Sequence, residues 1–81
     1  MENFWYVYIL KCSNASIYVG YTSDIERRII EHNSGKVHNT KDKRPVVLVT
    51  SIAFTNKYQA IFFEKYLKSG SGIAFRNKHL V

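Results

Sequence analysis

Eighty-one residues, 46% of them hydrophobic, suffice for one domain around one small core. Twelve Lys and Arg against six Asp and Glu give a net charge of +6, which favours a polyanionic partner, nucleic acid before others. The apolar run that contains Trp5 to Leu10 falls far short of the roughly 20 residues of a membrane span. The opening MENFWYVY has no signal-peptide pattern, and a lone Cys12 excludes an internal disulfide. A cytoplasmic protein without a membrane anchor is expected.

Phe4 to Lys11 is aromatic and β-branched, and its near-continuous apolarity reads as a strand covered on both faces. Ser13 to Ser16 reads as a tight turn into a second strand, Ile17 to Tyr21, so the first two elements form a hairpin. Thr22 to Asp24 supply N-cap chemistry, and Ser23 followed by Glu26 fits a capping box, for a helix through DIERRIIEHN that stops at Asn33 to Gly35. KVHNTKDKRP is a polar, basic loop closed by Pro45. Val46 to Phe54 predicts a third strand, and Thr55 or Asn56 caps a second helix, KYQAIFFEKYLKS. Gly70 to Gly72 break that helix, and IAFRNKHL makes a short last one. The order β-β-α-β-α-α gives an α+β fold, a three-stranded antiparallel sheet flanked by helices, as a single domain over residues 1–81.

Several polar residues fall on faces that should be apolar. A turn near Asn14 sets Tyr8 opposite Gly20, with Tyr18 diagonal to Tyr8. Gly20 then leaves a hollow beside the Tyr8 ring. Core packing with the hydroxyls at its rim is the simpler reading of these tyrosines. On the first helix, Ile25, Arg28, Ile29 and His32 share an arc about 100° wide, while Arg27 and Glu31 point away from it. An arginine on a docking face needs a core carboxylate, an edge position or a cleft. On the second helix, Ala60, Phe63, Glu64 and Leu67 share an arc, so Glu64 is the one acid placed on a core face. It suits an ion pair with Arg28, a simple exposed edge position, or a Mg²⁺ whose shell is completed by water and phosphate. Glu2, Asp24, Glu26, Glu31 and Asp42 fall on caps, the loop, the terminus or outward arcs.

In this order the residues resemble the GIY-YIG nuclease family. Tyr6-Val7-Tyr8 stands where the family has Gly-Ile-Tyr, and Tyr18-Val19-Gly20 where it has Tyr-Ile-Gly. Tyr6 replaces the first motif glycine. The motif tyrosines lie ten positions apart, Arg28 follows Tyr18 by ten, and His32 follows Arg28 by four. Those positions match the family's catalytic arginine and its His-or-Tyr site. Glu64 sits mid-helix like the family's metal-binding glutamate. Asn77, thirteen residues further on, is the candidate for the asparagine that many members carry. The resemblance spans nearly the whole chain and points to the small stand-alone excinuclease-like or endonuclease-like members.

The resemblance implies divalent-metal-dependent hydrolysis of DNA phosphodiester bonds, in repair or recombination. Tyr8 is then the general base, with Tyr18 the alternative; the phenol, with a pKa of about 10, must be lowered by Arg28 or the metal. Arg28 also holds phosphate oxygens where charge grows. Glu64 holds one Mg²⁺ or Mn²⁺, and His32 orients the phosphate or relays a proton. Tyr21 either positions substrate or packs. Arg27, Lys36, His38, Lys41, Lys43, Arg44 and Asn77 are the candidates for contacting nucleic acid, with Arg76 and Lys78 extending the path. No base-reading element is present in the sequence, so double-stranded or branched DNA is recognised by shape, or a protein partner supplies specificity. One site cuts one strand, which fits a monomer or weak homodimer. A catalytically inactive nucleic-acid-binding module is the rival reading, and a small interaction domain whose tyrosines only pack is the third.

Overall fold

Strand β1 (Trp5–Lys11) lies in the middle of the sheet, between β2 (Ile17–Thr22) and β3 (Val47–Phe54). Both neighbours run antiparallel to it. Three α-helices complete the fold: α1 (Ile25–Asn33), α2 (Lys57–Leu67) and α3 (Gly70–His79), with a short 3₁₀ turn at Lys41–Lys43 before β3. The computed structural model describes residues 3–81, so Glu2 lies outside the described residues.

Central placement explains the composition of β1. Val7, Tyr8, Ile9 and Leu10 are each no more than 1% exposed, because alternate side chains enter different cores. Val7 and Ile9 pack with Val19 of β2 and with Ala60 and Leu67 of α2. Tyr8 and Leu10 pack on the opposite face with Cys12, Val46, Tyr18 and Ile29 of α1. Each such apolar burial contributes about 1.5–3 kcal/mol. The hairpin register places Tyr8 opposite Gly20, as the turn position predicts. Its turn is tight enough to hold Ala15 at φ 69°.

Strand β1 begins at Trp5 and β2 ends at Thr22, each one residue later than the sequence reading, and further boundaries differ. The cap of α1 is Asp24, whose Oδ1 accepts the Arg27 N–H at 3.1 Å, and not Ser23. Thr22 Oγ1 takes the Asp24 N–H at 3.1 Å, so the chain turns through Ser23 and delivers Asp24 to the helix end. Strand β3 begins at Val47, because Val46 is held by side-chain bonds from α1. The second helix ends before Gly70, but the last helix begins at Gly70 and not at Ile73: Gly70 to Gly72 form its first turn, capped by Ser69. A Cβ on Gly72 would overlap the Tyr66 carbonyl, so glycine here permits the close approach of α2 and α3. Among the described residues no helix is long and apolar enough to cross a membrane.

Candidate active site

Tyr8 points from β1 toward α1, and its hydroxyl is a junction. Arg28 Nε donates to Tyr8 Oη at 3.3 Å, and His32 Nε2 lies 2.9 Å from the same oxygen. The α-helical spacing of four puts Arg28 and His32 on one face of α1, one turn apart. The Tyr18 ring joins them, with its centroid 4.9 Å from that of His32 and 6.2 Å from that of Tyr8. Gly20 makes this possible: a Cβ there would stand 2.5 Å from Tyr8 Oη and 3.1 Å from the Tyr18 ring.

His32 is fully buried and is gripped from behind. Its Nδ1 lies 2.7 Å from Oγ1 of Thr40, also fully buried. The next residue, Asn33, clamps the end of the same loop: its amide accepts the Val46 N–H at 2.8 Å and donates to the Val46 carbonyl at 3.2 Å. The loop read as irregular is therefore fastened to the C-terminal turn of α1 at Thr40 and Val46.

Glu31 lies off the docking arc of α1, yet its carboxylate accepts from Arg28 Nη1 at 3.0 Å. The i,i+3 spacing allows the two side chains to meet at the helix edge, where each is about one-third exposed. The bond holds the Glu31 carboxyl below the usual carboxylate range, and the bond to Tyr8 keeps Arg28 protonated. The expectation that Arg28 leaves Tyr8 more acidic than a free phenol is not met. Burial outweighs the guanidinium and pushes the Tyr8 phenol up to about 12. Burial, then the charge of Arg28, drive the His32 imidazole below its ordinary 6.5 against the opposing pull of Glu31, so it is neutral near pH 7.

Glu64 lies on α2, across the sheet from α1. Its partner is not Arg28 but Lys68, whose Nζ donates to Oε2 at 2.7 Å in an i,i+4 pair. The Glu64 side chain is 12% exposed. Lys68 Nζ lies 6.0 Å from the centroid of the Tyr18 ring on edge strand β2, and Glu64 itself makes no hydrogen bond or ion pair with Tyr8, Tyr18, Arg28 or His32. Among the described residues no group of three or more His, Cys, Asp or Glu is placed to hold a metal ion. A single carboxylate can hold Mg²⁺ or Mn²⁺ that keeps several waters, and Glu64 has that chemistry once Lys68 gives up its oxygen.

The other candidates are dispersed. Lys36, His38, Lys41 and Arg44 are exposed on the loop after α1, Lys43 is half-buried, and Arg27 is exposed on α1. Arg44 packs over Gly35 and donates Nε to the Lys41 carbonyl at 2.8 Å. Asn77 is not brought to the cluster: it is exposed on α3, and its oxygen accepts from Arg76 Nε at 3.2 Å. Tyr21 packs its ring 6.3 Å from that of Trp5, on the other face of the hairpin. Three residues were missed. Lys68 had a signal in its spacing from Glu64, Glu31 in its spacing from Arg28, and Thr40 had none.

A family model of the GIY-YIG catalytic domain matches residues 4–76, and the chain belongs to this family of nucleases. It is similar to the UPF0213 protein YsiG of Lactococcus lactis, with 45% identity over 67 residues that span 82% of this chain and 64% of that protein. The UPF0213 protein SH2523 of Staphylococcus haemolyticus is 48% identical over 67 residues, 82% of each chain. The solution NMR structure of the UPF0213 protein BH0048 from Bacillus halodurans superposes with a TM-score of 0.58 at 38% identity, covering 93% of this chain and 83% of that one.

Proposed function

We propose that this chain is a divalent-metal-dependent endonuclease that hydrolyses DNA phosphodiester bonds with shape selectivity or weak sequence specificity, in repair or recombination. The junction at Tyr8 Oη carries the reading. A buried phenol that touches both a guanidinium and a neutral imidazole is placed to change its protonation state. A phenol at about 12 is almost wholly protonated near neutrality, so on its own it is a poor base. His32 Nε2 gives the proton a destination 2.9 Å away, and Arg28 Nε–H stabilises the phenolate left behind. That phenolate takes a proton from the attacking water. The outward end of Arg28 donates to a phosphate oxygen as charge develops there, a contribution of roughly 3–4 kcal/mol. Tyr18 walls the hollow over Gly20. Glu64 would hold one Mg²⁺ or Mn²⁺, which when bound supplies charge stabilisation for the leaving oxygen. The basic loop from Lys36 to Arg44, with Arg27, neutralises flanking phosphates, and any further specificity comes from a protein partner.

The second reading, a nucleic-acid-binding module without turnover, draws on the raised Tyr8 pKa and on Lys68 occupying the Glu64 carboxylate. Incubation of flap, nicked and branched DNA with Mg²⁺ or Mn²⁺ separates them. The nuclease yields products that disappear in Arg28→Ala and Glu64→Gln. The binding module gives salt-sensitive affinity and no products with either ion.

A further inference from the structure

We infer that the outward face of α2, continued onto α3, is a stacking platform for an unpaired stretch of the nucleic-acid substrate. The inference rests on the nuclease reading above for its substrate, and on a separate surface for its evidence. Tyr58, Phe62 and Tyr66 follow one another at four-residue intervals, so their side chains share one face of α2. Ala60 and Leu67 are buried on the opposite arc, which turns the row away from the sheet. Tyr58 and Phe62 are each 69% exposed, and Tyr66 is 40% exposed. The row does not stop at the end of α2. The Tyr66 ring lies 6.1 Å from that of Phe75 on α3, and the Phe75 ring lies 4.9 Å from that of His79, one turn further on. Gly72 makes this junction possible, because it lets α3 close on the Tyr66 carbonyl.

Charge selects the occupant. Lys65 follows Phe62 by three residues and Lys78 follows Phe75 by three, so each helix sets an exposed lysine beside its exposed ring. Glu64 is the only acid from Lys57 to His79, and Lys68 takes its carboxylate. A second copy of the chain would bring these lysines against their like, with a net charge of +6 on each partner. An unpaired strand suits both features at once: its phosphates meet the lysines, and its bases offer flat faces to the rings. A duplex keeps those faces stacked inside and would use only the lysines.

The test is binding of a labelled oligothymidylate by the full chain, read by fluorescence anisotropy. Beside it runs an abasic strand of the same length, which keeps the phosphates and lacks the bases. The wild type should bind the oligothymidylate at least about fivefold more tightly. Phe62→Ala and Tyr58→Ala should each remove about fivefold or more of that affinity, with the abasic strand and the salt slope unaffected. Phe62→Tyr, which keeps a ring, should bind as the wild type does. Lys65→Ala should weaken both strands alike and lower the salt slope by about 0.7. Equal binding of the two strands by the wild type overturns the inference, whatever the variants do. So does unchanged oligothymidylate binding in Phe62→Ala, or a wild-type dimer in sedimentation that Phe62→Ala dissolves. If base-dependent binding is found but no DNA is cut, the platform stands and the nuclease reading falls. If DNA is cut and neither ring substitution alters binding, the nuclease reading stands and the platform falls.

Discussion

Tyr8 Oη and His32 Nε2 stand 2.9 Å apart across 24 residues of sequence, one on the central strand and the other on the helix that covers it. Tyr8→Phe removes the atom that His32 and Arg28 share. Two polar groups then lose a partner, at about 1–3 kcal/mol of stability. Cleavage should fall by at least about a hundredfold while DNA affinity is retained, since the basic loop is untouched. Parallel urea melts, cleavage rates and binding titrations check this; normal cleavage by Tyr8→Phe would remove the phenol from the chemistry.

Gly20→Ala should do the same by crowding. The new methyl would stand 2.5 Å from Tyr8 Oη and 2.7 Å from Cζ, so the buried ring must move. Overpacking of this kind costs about 1–3 kcal/mol, and the displaced phenol should lose its bond to His32. Gly70→Ala is the control, with no atom within 4 Å of the added methyl and an expected change below about 1 kcal/mol. Thermal melts of the two variants should differ clearly in Tm.

The pH dependence of stability reports on His32. Its folded pKa lies below 6.5, so between that lower value and 6.5 the unfolded chain binds a proton that the folded chain does not. The contribution is fully present above pH 6.5 and is lost as pH falls toward the folded value. Denaturant melts across this window should show wild-type stability dropping with acid. His32→Phe should show a smaller slope, and equal slopes would contradict the burial of a neutral imidazole.

Lys68 competes with any cation for Glu64. Lys68→Ala should tighten Mn²⁺ binding by up to about fivefold, since a pair with a half-exposed lysine is worth about 1 kcal/mol or less. Glu64→Gln should abolish it. Calorimetric titration with Mn²⁺ reads both, and unaltered binding in Glu64→Gln would move the ion elsewhere.

Most of the architecture could be read from periodicity. Strand alternation and a turn near Asn14 were enough to set Tyr8 against Gly20, and a 3.6-residue repeat put Arg28 and His32 on the buried face of α1. Long-range choices were not legible in this way. Arg28 and Glu64 both carried charge on docking faces, yet each found a partner on its own helix, Glu31 and Lys68. Thr40 lies in a loop with no repeat to mark it, and its burial against His32 of α1 is a long-range contact. Gly70 to Gly72 mark the end of α2 as read, but glycine's low helix preference hid that they open α3, where the packing on α2 needs a residue without a side chain at Gly72.

Cleavage of a labelled branched duplex by wild type, Tyr8→Phe, Arg28→Ala and Glu64→Gln, purified in parallel, bears most directly on whether the Tyr8 junction is a catalytic centre. Wild type should cut with Mg²⁺ or Mn²⁺ and stop on chelation, and each substitution should remove at least about 99% of the rate. Equal trace cutting by all four proteins, or salt-sensitive binding with no product, would show that these side chains are not carrying out hydrolysis.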